Sequence, residues 1–243
     1  MTQRKAALVT GGSTGIGLAI CQVLIDADYD VISLSRRAAG LSSPRLRSLS
    51  VDLTDARATA EAAREVARDT PVTTIVHNAG ATRESLIEDV KLEDLDALTH
   101  LHLSAPVSLV QANLPAMKAA GFGRIVLISS RAMLGLPKRT AYSATKAAML
   151  GMARTWALEL GSHGITVNVV APGPIEETEM FDGVLGDDQA RRARLAQGIP
   201  VKRLGKPADV ARAVSFFVDP AASFVTGQTL FVCGGASVGS LTI

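Results

Sequence analysis

The 243-residue sequence has few of the residues that mark several classes of protein. It holds only two cysteines, Cys21 and Cys233, which lie far apart and form no CxxC pair. This spacing predicts neither a disulfide framework nor a zinc site, and it fits a reducing compartment. We therefore expect a cytoplasmic protein without a bound metal.

Aromatic residues and net charge are also scarce. Aromatic side chains make up 4% of the chain, and the formal net charge is +2. Nucleic-acid-binding surfaces combine strong positive charge with stacking platforms, so nucleic acid is not an expected partner. No apolar run is long enough to span a bilayer, and the N-terminal segment reaches a glycine turn after a short apolar run. The sequence therefore predicts no secretory signal and no membrane partner.

What the chain does contain is an alternation of two patterns. Short runs rich in Val, Ile or Leu show no alternation of polar and apolar residues, which predicts strands buried on both faces. These runs cover residues 6–9, 31–34, 49–51, 73–76, 124–129, 166–170 and 229–232.

Longer segments with helical spacing separate the strands. They cover residues 15–28, 55–68, 91–120 (as one long helix or two), 141–160 and 207–218. Thr54 is predicted to cap the second of them. Strands that alternate with helices predict right-handed crossovers and a parallel sheet. We expect one domain over residues 1–243, a doubly wound α/β fold of about seven strands with helices on both faces. Its ligand site should lie at the carboxyl ends of the strands.

The stretch TGGSTGIG, residues 10–17, follows the first strand and opens the first helix. Glycines at this turn let the backbone approach a pyrophosphate, and the N-terminus of the helix attracts the anion. The glycine spacing differs from GxGxxG, and a glycine-rich turn without a ligand is the alternative. The position between first strand and first helix favours a dinucleotide site.

The second predicted strand ends at Ser35, Arg36 and Arg37, with no acidic residue. A carboxylate at this point holds the ribose of NAD(H), whereas arginines accept the 2′-phosphate of NADP(H). The sequence therefore favours NADP(H), with NAD(H) and an ordinary solvated loop left open. Asp52, after the third strand, either receives the adenine amino group or caps the next helix.

Tyr142 and Lys146 lie at positions i and i+4 of a predicted helix and therefore share one face. A neighbouring ammonium lowers the pKa of a phenol, which would make Tyr142 a usable general acid or base. Ser129 and Ser130 end the fifth strand at the same edge of the sheet, where a hydroxyl can bind a substrate carbonyl. Each feature occurs by chance; their combination with the glycine turn indicates a catalytic site.

Eight stretches in this order resemble the short-chain dehydrogenase/reductase family, and within it the bacterial 3-oxoacyl-carrier-protein reductases. They are TGGSTGIG (10–17), VDLTD (51–55), HNAG (77–80), GRIVLISS (123–130), YSATK (142–146), ITVNVVAPG (165–173), RLGKPADVA (203–211) and FVTGQTLFVCGG (224–235). The resemblance covers nearly the whole chain. It implies a Rossmann-type fold, an NAD(P)-dependent oxidoreductase and a homotetramer.

The resemblance also implies roles for individual residues. Tyr142 would protonate the carbonyl oxygen, Lys146 would bind the nicotinamide ribose and lower the pKa of Tyr142, and Ser130 would polarise the carbonyl. Ser130 fills the second serine position of the family's ISS, but Ser129 has the usual separation of thirteen residues from the tyrosine, so the choice between them stays open.

The residues expected to bind the cofactor lie in six places along the chain. They are Gly11, Ser13, Thr14, Gly15, Ile16 and Gly17; Ser35, Arg36 and Arg37; Asp52 and Leu53; Asn78, Ala79 and Gly80; Tyr142 and Lys146; and Pro172, Gly173, Ile175 and Thr178.

Two positions depart from the family pattern. His102 stands where the family has an asparagine that holds a water in the proton path, and an imidazole can both bind a water and titrate near neutrality. One hypothesis is that His102 serves in a proton relay; the alternative is a buried histidine with a structural partner. Cys233 stands where an aspartate is more usual, and it is interpreted as a small core residue.

The substrate is the least determined part of the prediction. The loop 131–141 and the segment 176–198, which resembles the family's mobile lid, are the expected pocket walls. Arg131, Lys138 and Arg139 would either meet an anionic substrate, such as a phosphopantetheine-linked acyl chain, or face solvent.

Three functions follow from these features. The first is an NADPH-dependent reductase of a carbonyl such as a 3-oxoacyl thioester. The second is a dehydrogenase that oxidises a small alcohol or sugar. The third is a non-catalytic dinucleotide-binding regulatory module, against which the intact Ser130, Tyr142 and Lys146 argue.

Overall fold

The computed structural model describes residues 5–238 of the protein. All seven predicted strands are present: β1 (Ala6–Thr10), β2 (Asp30–Ser35), β3 (Leu46–Ser50), β4 (Val72–His77), β5 (Gly123–Ile128), β6 (Ile165–Pro172) and β7 (Thr229–Val232). They form one parallel sheet in the order β3-β2-β1-β4-β5-β6-β7. The chain runs outward from β1 to β3 and then returns to β4, so the strand order reverses between β1 and β4. This reversal point, at the carboxyl ends of the strands, is where doubly wound folds bind ligands.

The helices cover both faces of the sheet. They are α1 (Gly15–Asp26), α2 (Ala56–Asp69), α3 (Leu92–Thr99), α4 (Ala105–Ala120), α5 (Thr140–Leu160), α6 (Glu179–Leu185), α7 (Gln189–Gly198) and α8 (Pro207–Val218). One apolar cluster joins the sheet to α2, α4 and α5, and includes Leu109, Ile125 and Met149. A second joins it to α1 and α8, and includes Ile20 and Val214. The predicted doubly wound α/β fold is confirmed.

Burial on both faces holds for the central strands and fails at the edges. Every residue of β1, β5 and β6 is buried, as predicted. In β3 and β7 no residue is fully buried, so the prediction was wrong for these two strands. Each has a strand on only one side. β7, TLFV, resembles the core strands in composition, whereas β3, LRSLS, has only two apolar residues, a signal that the sequence analysis missed.

Residues 91–120 follow one continuous path, but not as a regular α-helix. A π-helical turn, His100–Ser104, joins α3 to α4. Such turns are uncommon and occur mostly at functional sites. The helical periodicity predicted helical structure here but not the π-helical turn. The prediction left open one long helix or two, and the structure has two α-helices joined without a break by that turn.

Two local predictions need correction. The cap of α2 is Asp55, whose carboxylate accepts hydrogen bonds from the N–H groups of Arg57 and Ala58, and not Thr54. The lid, defined here as residues 176–198, contains two helices, α6 and α7, where the sequence predicted only a flexible segment. In the part of the chain that the structure describes, no helix is both long and apolar enough to cross a membrane.

Candidate active site

A cleft of about 1090 Å³ opens at the carboxyl ends of the central strands. Every residue predicted to bind the cofactor lines it, from Gly11 to Thr178. Ser129, Ser130 and residues of the lid also line it, whereas His102 does not. We call the part around TGGSTGIG, Arg36 and Asp52 the cofactor end. The part formed by residues 81–83, the loop 131–139 and the lid is the substrate end.

The glycine turn brings the backbone of α1 against the end of β1. Gly11 has a left-handed φ of +66°. A Cβ on Gly17 would overlap the main-chain carbonyl of Gly11, so only glycine permits this approach. Thr14 precedes α1 without making a side-chain cap, and the first turn of the helix holds no acidic residue. The N–H groups of this turn are therefore open to an anion, and the turn fits a dinucleotide pyrophosphate.

Thr10, which the sequence analysis missed, fastens the ends of β1 and β4 together. Its Oγ1 accepts hydrogen bonds from the N–H groups of Asn78 (3.0 Å) and Ala79 (2.9 Å). The Asn78 amide donates back to the carbonyls of Thr10 and Gly11, both at 3.1 Å. The signal was available, because a polar residue directly before the glycine turn interrupts an otherwise apolar strand.

The cofactor end carries Arg36 and Arg37 beside the end of β2. Arg37 forms an ion pair of 2.6 Å with Glu179 of the lid, and both side chains are more than half exposed. Asp52 accepts hydrogen bonds from the N–H and hydroxyl of Thr54, which lower the pKa of its carboxyl group. Asp52 does not cap α2, which was one of its two predicted roles. It does line the cleft, as the other predicted role, binding of the adenine, requires.

Tyr142 and Lys146 lie in the first two turns of α5, both buried. The Lys146 Nζ is 5.8 Å from the centre of the Tyr142 ring and donates a hydrogen bond of 2.7 Å to the carbonyl of Ile128. Burial lowers the pKa of Lys146 to about 7.

The pKa of Tyr142 differs from the expectation. Burial raises it, while a hydrogen bond from Ser130 and the positive charge of Arg139 lower it by less. The prediction that Lys146 lowers the pKa of this phenol is wrong for the site as it stands. The reason is that burial disfavours the charged form of the phenol by more than the neighbouring groups favour it.

The structure separates the two serines. The Ser129 hydroxyl donates to the main-chain carbonyl of Lys146 at 2.7 Å, which turns it into the protein. Ser130 is only half-buried, and its side chain interacts with Tyr142. The separation from Tyr142 in the sequence favoured Ser129 as the catalytic serine, whereas the position in the motif favoured Ser130. The geometry favours Ser130.

His102 lies in the π-helical turn and is fully buried. Its Nε2 accepts a hydrogen bond from the N–H of Ala81 (3.4 Å), so Nδ1 carries the proton and donates to the Thr145 hydroxyl (2.8 Å). Thr145 in turn donates to the carbonyls of its own helix, at residues 141 and 142. Burial and the charge of Lys146 hold the pKa of His102 far below its ordinary value. The expectation that His102 titrates near neutrality is therefore wrong, and both ring nitrogens are already bonded.

His77 forms a second buried histidine site that the sequence analysis did not assign. Its Nε2 donates to the carbonyl of Leu101 in the π-helical turn (3.1 Å), and its Nδ1 pairs with the hydroxyl of Thr10 (3.1 Å). Burial lowers its pKa to about 3. His77 therefore connects the π-helical turn to the end of β1.

The substrate end is built from charged side chains and the lid. Arg139 is buried and pairs with Glu84, and a neighbouring main-chain bond joins Ser85 to Lys138. Met180 of α6 places its sulfur 3.9 Å from the Tyr142 hydroxyl. Sequence patterns gave no signal for Met180, because its approach depends on how the lid folds over the cleft.

Comparison with known proteins gives consistent matches over nearly the full length. A family model described as enoyl-(acyl carrier protein) reductase matches residues 11–237. A (2S)-[(R)-hydroxy(phenyl)methyl]succinyl-CoA dehydrogenase subunit of Thauera aromatica is 35% identical, with 96% of this chain and 94% of that protein covered. A 3-oxoacyl-[acyl-carrier-protein] reductase of Vibrio harveyi is also 35% identical, with 95% and 96% covered.

A solved structure extends the likeness to three dimensions. It is described as a putative NAD(P)-dependent gluconate 5-dehydrogenase from Beutenbergia cavernae with bound NADP. It is 33% identical, covers 97% of each chain and has a TM-score of 0.88.

Proposed function

The chain belongs to the short-chain dehydrogenase/reductase family, and from this premise we propose that it is an NADPH-dependent reductase of a ketone, with 3-oxoacyl thioesters as its substrate class. The observation that carries the proposal is the position of Ser130, Tyr142 and Lys146 in the same cleft as the open N-terminus of α1. The chain is then a single catalytic domain over residues 1–243.

NADPH would lie with its pyrophosphate at the first turn of α1 and its adenosine between Arg36 and Asp52. When bound, it supplies the hydride. Two guanidiniums and no acidic residue at the end of β2 support NADPH over NADH, because a 2′-phosphate forms charge-assisted hydrogen bonds with arginine. The relative with bound NADP supports the same choice. Asn78 to Gly80 and Pro172 to Thr178 would line the nicotinamide half.

Tyr142 would protonate the carbonyl oxygen as it gains electrons. Since burial raises its pKa, the phenol holds its proton at neutral pH, which suits an acid in a reduction more than a base in an oxidation. Ser130, at the end of β5, would donate a hydrogen bond to the same oxygen. Both side chains line the same cleft, and Ser130 lowers the pKa of Tyr142, which supports this arrangement.

Lys146 would bind the ribose and return a proton to Tyr142. One Nζ hydrogen is used on Ile128, which leaves two donors for the cleft. Its pKa of about 7 means that it can gain and lose a proton at neutral pH.

The direct test is an absorbance assay of NADPH oxidation with 3-oxoacyl thioesters. We expect Tyr142→Phe to reduce kcat by about 10²- to 10⁴-fold while NADPH binding is retained. Equal turnover by the variant would remove Tyr142 from the chemistry. Turnover with NADP⁺ and alcohols alone would favour the dehydrogenase. If wild-type protein binds NADPH and transforms no carbonyl or alcohol, a regulatory dinucleotide-binding module becomes the better hypothesis.

We also propose that the protein is a cytoplasmic homotetramer. Large apolar side chains are exposed on α5, at Leu158, and before β7, at Phe224, as expected of surfaces that pack against further copies. Both cysteines are free, which fits a reducing compartment. Light scattering of the purified protein tests the assembly, and a monomer at micromolar concentration would contradict it.

A further inference from the structure

Five arginines line the substrate end of the cleft. They are Arg83, Arg131, Arg139, Arg191 and Arg194. Of the described residues, two acidic ones line the cleft, and both have partners at the cofactor end: Asp52 binds Thr54, and Glu179 of the lid pairs with Arg37. The wall around the reacting carbonyl is therefore positively charged.

Arg139 is the most buried of these arginines. Its side chain is 9% exposed, and it lies three residues before Tyr142 at the start of α5. Its positive charge acts on the Tyr142 phenol. A long cationic side chain is almost never buried without a partner, so the burial of this guanidinium at the cleft wall calls for an anion.

The protein already supplies one anion to Arg139, through a contact between Nη2 of Arg139 and Oε1 of Glu84. Within residues 5–238 the carboxylate that pairs with Arg139 is Glu84, whose side chain is 42% exposed. The hydrogen bond with Arg139 is the main cause that lowers the pKa of Glu84, and the charges of Arg139, Lys138 and Arg191 lower it further. Arg83, by contrast, has Asp94 to itself. The described charged residues around Glu84, which are Arg139, Lys138 and Arg191, therefore carry more positive charge than Glu84 neutralises.

We propose that the substrate carries a carboxylate close to its ketone and that Arg139 binds this carboxylate. The inference rests on the proposed ketone reduction and narrows its substrate class. A guanidinium forms two parallel hydrogen bonds with a carboxylate, which also fixes the orientation of the substrate. The other source of negative charge, the phosphate of a pantetheine arm, lies at the far end of that arm from the ketone. Because Arg139 lies about one helical turn before Tyr142 and lines the same cleft, a carboxylate near the ketone fits its position better.

Three thioesters with the same reacting group test the inference. 3-Oxohexanoyl-N-acetylcysteamine is uncharged. 3-Oxoadipyl-N-acetylcysteamine has a carboxylate where the first has its terminal methyl group. 3-Oxohexanoyl-CoA has phosphates only at the distant end. For the wild type with NADPH we expect kcat/KM to be about 10- to 100-fold higher for the oxoadipyl thioester than for its uncharged counterpart.

Two variants separate substrate binding from a structural role of the ion pair. Arg139→Gln should lower kcat/KM for the oxoadipyl thioester more than for the uncharged thioester, so that the preference between the two is lost. Glu84→Gln breaks the same pair but leaves the guanidinium, so the preference should persist or increase. If Arg139 only anchors residues 82–85, the two variants lose activity alike on both thioesters, and the inference is wrong.

The remaining outcomes are also decisive. Dependence on Arg139 for the CoA thioester but not for the oxoadipyl thioester would identify the phosphates as the anion and overturn the inference. If no thioester is turned over, the proposed reduction of thioesters fails, and calorimetry of the NADPH complex with the oxoadipyl thioester decides the inference by itself. Tighter binding to wild type than to Arg139→Gln supports it, and equal binding overturns it. Arg139→Lys, which keeps the charge and loses the paired donors, should give an intermediate preference if the fold is intact.

Discussion

At the cofactor end of the cleft the main chain makes most of the contacts, whereas at the substrate end charged side chains make them. The cofactor end combines a positive-φ glycine, an open helix N-terminus and Thr10, which binds two N–H groups of the β4 loop. The substrate end depends on Arg139, Glu84 and the lid. Main-chain geometry tolerates few alternatives, so one end of the cleft is fixed by the fold while the other can change with single side chains.

The largest effect should come from a methyl group added at the fixed end. We expect Gly17→Ala to destabilise the fold by about 3 kcal/mol or more, because its Cβ would overlap the carbonyl of Gly11. The matched control is Gly183→Ala in the lid, where no atom lies within 4 Å of the new Cβ. That variant should be neutral or stabilising by up to about 1 kcal/mol. Thermal unfolding of both proteins measures the contrast; equal losses would refute the difference between the two ends.

The paired serines should show the next largest effect, now on activity. Ser130→Ala should lower kcat by about 10²-fold if its hydroxyl binds the substrate carbonyl. Ser129→Ala should leave kcat within a few-fold and cost about 1 kcal/mol of stability, because it loses the hydrogen bond to the carbonyl of Lys146. Steady-state kinetics and denaturant unfolding of the two variants provide the comparison. The reverse assignment of losses would make Ser129 the substrate-binding serine.

His102 lies behind the cleft wall, in contact with Ala81 and Thr145. Its replacement distinguishes a role in proton transfer from a structural role. His102→Asn should leave the pH dependence of kcat unchanged, because the imidazole is held neutral by burial across the working range. It should cost about 1 to 3 kcal/mol of stability through the bonds to Ala81 and Thr145. The measurements are a pH–rate profile and urea unfolding. Loss of a titration near neutrality from that profile would return His102 to the mechanism.

The smallest effect concerns the contact between the two ends. Glu179→Gln removes the exposed ion pair with Arg37, so stability should change by less than about 1 kcal/mol. Arg37 would then be free for a 2′-phosphate, and the KM for NADPH should fall a few-fold while that for NADH stays constant. Parallel titrations of the two cofactors test this, and equal changes for both would argue against contact of Arg37 with the phosphate.

The same contrast explains how much could be predicted from the sequence. The glycine turn, the strand ends and the Tyr142–Lys146 spacing were predictable, because each depends on neighbours within a few positions of the chain. The burial of β1 and β5 was predictable for the same reason. The exposure of β7 was not, because it depends on strand order, whereas the polar residues of β3 could have indicated its exposure.

The missed features all involve residues far apart in the sequence. Three contacts form only when the lid and the loop after β4, which contains Glu84, fold over the cleft. They are Arg139–Glu84, Arg37–Glu179 and Tyr142–Met180. The direction of the Tyr142 pKa was missed because the spacing of Lys146 indicates a nearby charge but says nothing of burial. The partners of His102 likewise come from two other segments.

The π-helical turn has a consequence for how this chain tolerates insertions and deletions. The turn holds one more residue than a regular α-helix would, so losing a single residue from His100–Ser104 would let α3 and α4 merge into one uninterrupted helix. Because the extra residue is accommodated within a single turn, the faces of the two helices would stay in register. A deletion inside α4, between Leu109 and Met117, would instead rotate the faces on either side of it by about 100° and take Met117 out of the core. Loss of one residue from the turn should therefore be less damaging than loss of one from the middle of α4.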